Sequence, residues 1–250
     1  MQPKRTTQFY TDTGLDVPAV TTEQIREIDR IASEKTGPNL FQMMENAGRN
    51  LAQFTMQILG ENCQNSKIVI LAGNGGNGGG GICAARHLAN RNISTYLCLT
   101  QKDQLTDVTA YQLKIYQAAE GKIIDKTGLE EMQPDLIIDA LIGYSLNGSP
   151  TGLTHDLIRW ANATGVSIVS LEVPSGVDAT TGETPGVFIR PNWTLTLALP
   201  KNGLASPETG DIYLADIGIP PATFVECCLD YHSPFETRYW IHLNRRDKGF

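Results

Sequence analysis

The chain has 250 residues, long enough for one sizeable α/β domain with a well-buried core. Its 41% apolar and 19% charged content is ordinary for a globular protein, and a net charge of −7 argues against a general nucleic-acid surface and against anionic membranes. No apolar run approaches the length of a membrane span.

Met1 to Pro18 lacks the apolar core of a secretory signal. Residues 1–20 read instead as a polar arm that a partner subunit would order. Thr21 or Thr22 is placed to cap a helix running to about Lys35, with Ile25, Ile28 and Ile31 on its apolar stripe. Gly37-Pro38-Asn39 ends it. A second helix is expected from Leu40 to Leu59, with Met43, Met44, Ala47, Leu51 and Phe54 on one face. Both helices precede the strand–helix alternation, so they are expected to cover a sheet edge or form a dimer surface.

From Lys67 onward the pattern alternates. Strands are expected at Lys67–Leu71, Ser94–Leu99, Lys122–Ile124, Leu136–Ala140, Val166–Leu171 and Thr194–Ala198. Helices are expected at Gly79–Asn90, Thr106–Ala119 and Thr151–Ala163. This is the signature of a mainly parallel sheet with helices on both faces, a Rossmann-like three-layer α/β sandwich carrying two extra N-terminal helices. A strand at Asp211–Ala215 is a candidate edge. Residues 221–250 are irregular but aromatic, and are expected to pack on the same domain, which spans 21–220.

Five cysteines are present, Cys63, Cys83, Cys98, Cys227 and Cys228, two of them inside apolar elements. An odd, scattered set reads as free thiols in a reducing compartment, which points to the cytoplasm. His87, His155, His232 and His242 form no metal-ligand spacing.

The stretch Lys67 to Arg86 carries the strongest signal. The apolar run Ile68-Val69-Ile70-Leu71 is followed by seven glycines between Gly73 and Gly81, broken only by Asn74 and Asn77. Strand, glycine turn and helix is how an open α/β sheet builds an anion site, because glycine lets the backbone approach a ligand and a helix start offers free N–H groups. One or two glycines would suffice for a plain tight turn. Gly73, Gly75 and Gly78 match the dinucleotide fingerprint, yet the first acidic residue after the next strand, Asp103, falls late for a ribose partner. No Lys-Ser or Lys-Thr follows the loop, which excludes the P-loop of nucleotide hydrolases.

Ligands of parallel sheets bind at the carboxyl ends of the strands. Those ends supply Asn77, Asp139, Glu172, Ser175 and Lys201, from separate segments, to one edge. A carboxylate after an apolar strand is costly unless exposed or paired.

Met44-Glu45-Asn46-Ala47-Gly48, the glycine loop with Ala84-Ala85-Arg86-His87-Leu88, Asp139-Ala140-Leu141-Ile142-Gly143, Pro174-Ser175-Gly176-Val177-Asp178 and Leu199-Pro200-Lys201-Asn202-Gly203-Leu204 occur in that order. Together they resemble the YjeF N-terminal family, the NAD(P)H-hydrate epimerases, over about Thr21 to Pro220. The resemblance implies a Rossmann-like fold, interconversion of the R and S epimers of hydrated NADH and NADPH, and a homodimer. It places potassium ligands on Asn77, Asp139 and Ser175. It places substrate on Gly76, Asn77, Gly78, Gly79 and Gly80, and on Gly143, Tyr144, Ser145, Leu146, Asn147, Gly148 and Ser149, with Lys201 beside them.

Five positions depart from the family pattern. Gly76 stands for an asparagine, Gly80 for an aspartate, Tyr144-Ser145 for Thr-Gly, and Glu172 for the substrate-binding aspartate. Glu172 is the expected acid/base group at the hydrated ring carbon. The alternatives are a non-catalytic nucleotide-binding or scaffold module of the same fold and, third, an ordinary NAD-dependent oxidoreductase, for which no catalytic histidine or tyrosine stands out. No kinase-like dehydratase domain is expected within these 250 residues.

Overall fold

The computed structural model describes residues 8–246. Seven strands, β3 (Lys67–Ala72), β4 (Ser94–Leu99), β5 (Lys122–Ile123), β6 (Leu136–Ala140), β7 (Ile168–Leu171), β8 (Trp193–Leu197) and β9 (Asp211–Ala215), pair in parallel. Three more, β1 (Phe9–Thr11), β2 (Asp16–Val17) and β10 (Trp240–Arg245), extend one side antiparallel. The order across the sheet is β2-β1-β10-β9-β8-β7-β6-β3-β4-β5. The chain winds one way from β3 and the other way from β6, so the carboxyl ends of β3 and β6 flank the switch point of the sheet.

The helices are α1 (Thr22–Ile31), α2 (Leu40–Leu59), α3 (Gly76–Ala89), α4 (Asp107–Ala118), α5 (Lys126–Glu130), α6 (Gly152–Ala163) and α7 (Pro221–Glu226). Alternation along the strands sorts them into layers. Ile68, Ile70, Leu136 and Ile138 face α2, α3 and α4, while Val69, Leu71, Ile137 and Ile168 face α5 and α6. A further cluster joins α1 and α7 to Ile212, Leu214, Ile241 and Leu243 of β9 and β10. Capping boxes start the first two helices: Thr21 with Gln24, and Asn39 with Gln42.

Three expectations change. The polar arm is partly a strand pair: Phe9 and Val17 are buried, and β1 is held by the chain's own C-terminal strand with Tyr10 opposite Asn244. Two and three residues are too few for alternation to show. Its outermost residues, 1–7, lie outside the described ones. The C-terminal segment contributes a helix and the strand β10 between β9 and β1, so β9 is not an edge. Finally, α2 is a layer helix. Its apolar face, with Met43, Met44, Ala47, Leu51 and Phe54, is buried within the chain, and the Phe54 ring packs 4.7 Å from that of Tyr213. The reason to see a dimer surface on that face is thereby removed.

Candidate active site

The helix α3 begins three residues earlier than expected, at Gly76, and takes most of the glycines into itself. They are there for packing. A Cβ on Gly78 would collide with the Gly73 backbone, one on Gly80 would stand 2.8 Å from Leu171 Cδ2, and one on Gly81 would stand 2.5 Å from Ala140 Cβ. Within the run from Gly73 to Gly81, only Gly75 and Gly76 have open space around them. The bare helix start therefore sinks onto the sheet at the switch point and leaves its first turn facing a cavity.

That cavity, about 330 Å³, is enclosed by α1, α2, the start of α3 and the carboxyl ends of the strands. Its walls include Gly76, Asn77, Gly80, Gly143, Tyr144, Ser145 and Glu172, as the sequence reading placed them. Gly78 and Gly79 are buried against Gly73 and Met44 instead. Leu146, Asn147, Gly148 and Ser149 continue away from the wall, and the Ser149 side chain fills the space beside Gly186. Apolar residues of α1 and α2, Ile25, Leu40, Met43, Met44 and Ala47, complete the enclosure.

Glu172 closes β7 with φ at 72°, a left-handed conformation that costs a non-glycine residue free energy. Ala198, which follows β8 and also lines the cavity, has φ at 60°. The Glu172 carboxylate is buried and held by three donors. Its Oε1 meets Lys201 Nζ at 2.5 Å, while Oε2 accepts from the Leu197 N–H at 2.8 Å and from Thr196 Oγ1 at 3.3 Å. Lys201 is not on the cavity wall. It is completely buried behind Glu172, and its ammonium also donates to the carbonyls of Leu197 and Leu199. Burial lowers its pKa, opposed by Glu172. Its role here is to hold Glu172 in place.

Two polar groups of the cavity escaped the sequence reading. Asp29, on α1, receives the Tyr144 hydroxyl at 2.7 Å, and Arg26 stands one turn earlier on the same helix. Burial raises the pKa of both Asp29 and Tyr144. The sequence signal was present, since Asp29 adjoins Ile25 and Ile28 on the inward stripe of α1. An acidic residue on a surface helix is nonetheless ordinary.

Behind the glycine turn, Asp139 is completely buried. It accepts from Ser175 Oγ at 2.5 Å, Ser175 N at 2.9 Å, Ser170 Oγ at 2.8 Å and Leu141 N at 3.2 Å. Burial raises its pKa against those bonds. The Asn77 side chain lies against Gly143, and its Nδ2 is a buried amide nitrogen without a partner. Turning the amide by half a rotation presents Oδ1 there instead. The Ser175 hydroxyl, the Ile142 carbonyl it touches at 3.2 Å and the Asp139 carboxylate are all oxygen donors. This donor set, with an unpartnered amide beside it, fits a hard cation such as potassium.

A doubly wound sheet, a glycine-opened helix at its switch point and a cavity walled by a strained, lysine-paired glutamate define a Rossmann-like nucleotide-site protein. The family described as YjeF-related protein N-terminus matches residues 40–203, and the chain belongs to it. It is 48% identical over 242 residues to the NAD(P)H-hydrate epimerase of Dehalogenimonas lykanthroporepellens, covering 96% of this chain and 99% of that one. It is 32% identical over 208 residues to the NAD(P)H-hydrate epimerase of Truepera radiovictrix, covering 83% and 93%. A match of 34% over 215 residues to the bifunctional NAD(P)H-hydrate repair enzyme Nnr of Moorella thermoacetica takes in 80% of this chain and 40% of that one. The crystal structure of yeast ynu0 superposes with a TM-score of 0.79 at 21% identity, over 90% of this chain and 100% of that one, and so shares the fold.

Proposed function

We propose that this chain is an NAD(P)H-hydrate epimerase, interconverting the R and S forms of hydrated NADH and NADPH at the aminal carbon beside the ring nitrogen. The observation that carries this reading is Glu172: a buried carboxylate, held in a left-handed backbone conformation at the cavity wall and steadied by Lys201. Strain of this kind persists where a functional geometry needs it. Relatives matched over nearly their whole length bear the epimerase name. The open first turn of α3 is suited to the phosphates of the dinucleotide, and the apolar wall from α1 and α2 to the reduced ring.

Potassium is proposed on Asn77, Asp139 and Ser175. Bound there, it would neutralise the Asp139 charge and stiffen the turn against which Gly143 packs. A second copy of the chain is proposed as partner, and the cytoplasm as location, in keeping with five free cysteines. Among the described residues no helix is long and apolar enough to cross a membrane.

The test is epimer interconversion by purified protein, followed chromatographically against the spontaneous rate, with and without potassium. Glu172→Gln keeps the shape and removes the basic form. The accelerated rate should fall roughly 100- to 10,000-fold, with NADPH binding by calorimetry little changed. A variant as fast as its parent would make Glu172 structural. A parent that binds NADPH but gives no acceleration favours the non-catalytic binding module.

A further inference from the structure

Epimerisation at an aminal carbon makes two demands. A proton must reach the departing hydroxyl on one face, and a group on the other face must take a proton from the water that returns. One carboxylate, anchored as Glu172 is by three donors, does not reach both faces. The cavity holds a second carboxylate, on a different wall. Asp29 rises from α1, while Glu172 projects from the end of β7, and Tyr144 reaches across from the turn after β6 to fix Asp29 Oδ2 at 2.7 Å.

We propose that Asp29 is the second proton-transfer group of this cavity, acting with Glu172 across the substrate ring and oriented by Tyr144. The proposal rests on the epimerase reading. The Asp29 carboxyl gives its proton to the hydroxyl oxygen, the C–O bond breaks, the ring-nitrogen lone pair forms a C=N bond and water leaves. A water then adds to the opposite face, the C=N electrons return to nitrogen, and the proton that this water loses passes to Glu172. One water leaves and one enters. The proton now on Glu172 serves the reverse direction, in which the roles exchange, or equilibrates with solvent.

The surroundings of Asp29 suit this. Burial raises it above the usual carboxylate range, the Tyr144 hydroxyl opposes that, Glu172 raises it further, and Lys201 lowers it. Tyr144, Glu172 and Arg26 line the cavity with it, and Lys201 lies behind Glu172. In the donating direction Asp29 must hold a proton, so activity falls as the pH rises through its pKa. The epimers interconvert with no net proton change, so the kcat/KM profile of the accepting direction, which needs that same proton on Glu172, runs parallel and falls over the same range. Removing the Tyr144 hydroxyl takes away a bond that lowers the Asp29 pKa, so both of these limbs move to higher pH.

The experiment uses the whole chain and both epimers as substrates. Asp29→Asn should lower the accelerated rate in both directions by roughly 100- to 10,000-fold, with NADPH binding retained. Tyr144→Phe should shift the Asp29 limb of each kcat/KM profile to higher pH, an effect that a merely structural contact would not produce. If the parent accelerates the reaction and Asp29→Asn matches it, Asp29 has no such role while the epimerase reading stands. If Asp29→Asn does not fold, Tyr144→Phe decides: an unmoved limb overturns the proposal and a moved one supports it. If the parent itself gives no acceleration, the epimerase reading and the role of Asp29 fall together.

Discussion

At the scale of single residues, the buried carboxylates of the site each sit in a bonded group. Glu172 is matched by Lys201, and Asp139 by four donors. A third group lies outside the cavity, where α2 crosses α3. There Glu45 accepts from Arg86 at 2.5 Å, its other oxygen meets His87 Nε2 at 2.8 Å, and the buried Cys83 thiol lies 3.5 Å from the carboxylate. Burial, then the Arg86 charge, lowers His87 from its ordinary 6.5. The folded chain therefore holds that proton less firmly than the unfolded chain does. Stability is fully present above pH 6.5 and is lost as the pH falls from there through the folded-state pKa. Urea unfolding of the parent at stepped pH values should show this loss, and His87→Gln should flatten it. Parallel curves for the two proteins would remove His87 as the cause.

At the scale of elements, α3 combines poor helix formers with close packing. Glycine costs a helix up to about 1 kcal/mol per residue relative to alanine, so glycines in its first two turns need compensation. They find it in contact, because without side chains the helix lies directly on Ala140, Ile70 and Leu171. Alanine substitution should therefore divide by position. Gly81→Ala, with its new methyl 2.5 Å from Ala140 Cβ, should destabilise by about 1–3 kcal/mol despite the better helix propensity. Gly76→Ala meets nothing within 4 Å and should be neutral or stabilise by up to about 1 kcal/mol. Denaturant midpoints measure both, and equal effects would mean that contact does not govern the run.

At the scale of the whole molecule, both chain ends close one side of the sheet. β10 enters between β9 and β1, so residues some 230 positions apart in sequence pair in the sheet. With the apolar face of α2 covered, the exposed apolar residues near the cavity mouth are Leu40, Phe41 and Tyr111, the last two in edge-to-face contact with centroids 5.3 Å apart. Association of two copies should use this patch, since it is rigid, aromatic and otherwise wetted. Sedimentation at micromolar concentration should give twice the chain mass, and Phe41→Ser with Tyr111→Ser should give the single mass. A parent that sediments as one chain excludes the dimer.

The parallel strands, their order of appearance and the residues at their carboxyl ends were legible in the sequence, because each rests on a local pattern: an apolar run, a helical stripe, a glycine after a strand. Those patterns carried Asn77, Asp139, Glu172, Ser175 and Lys201 to one edge of the sheet, and the family resemblance added Tyr144. Tertiary structure alone decided what the patterns leave open. A glycine reads the same whether it admits a ligand or a neighbouring helix, and only the approach of Gly73, Ala140 and Leu171 distinguishes the two. Lys201 looked like a substrate contact until its burial behind Glu172 made it a support. Asp29 lies on an amphipathic helix that could have packed anywhere, and its meeting with Tyr144 depends on a contact between residues 115 positions apart. Local sequence encodes which face of an element is apolar. Which other element that face meets, and so which polar groups share a cavity, follows from the packing of the whole chain.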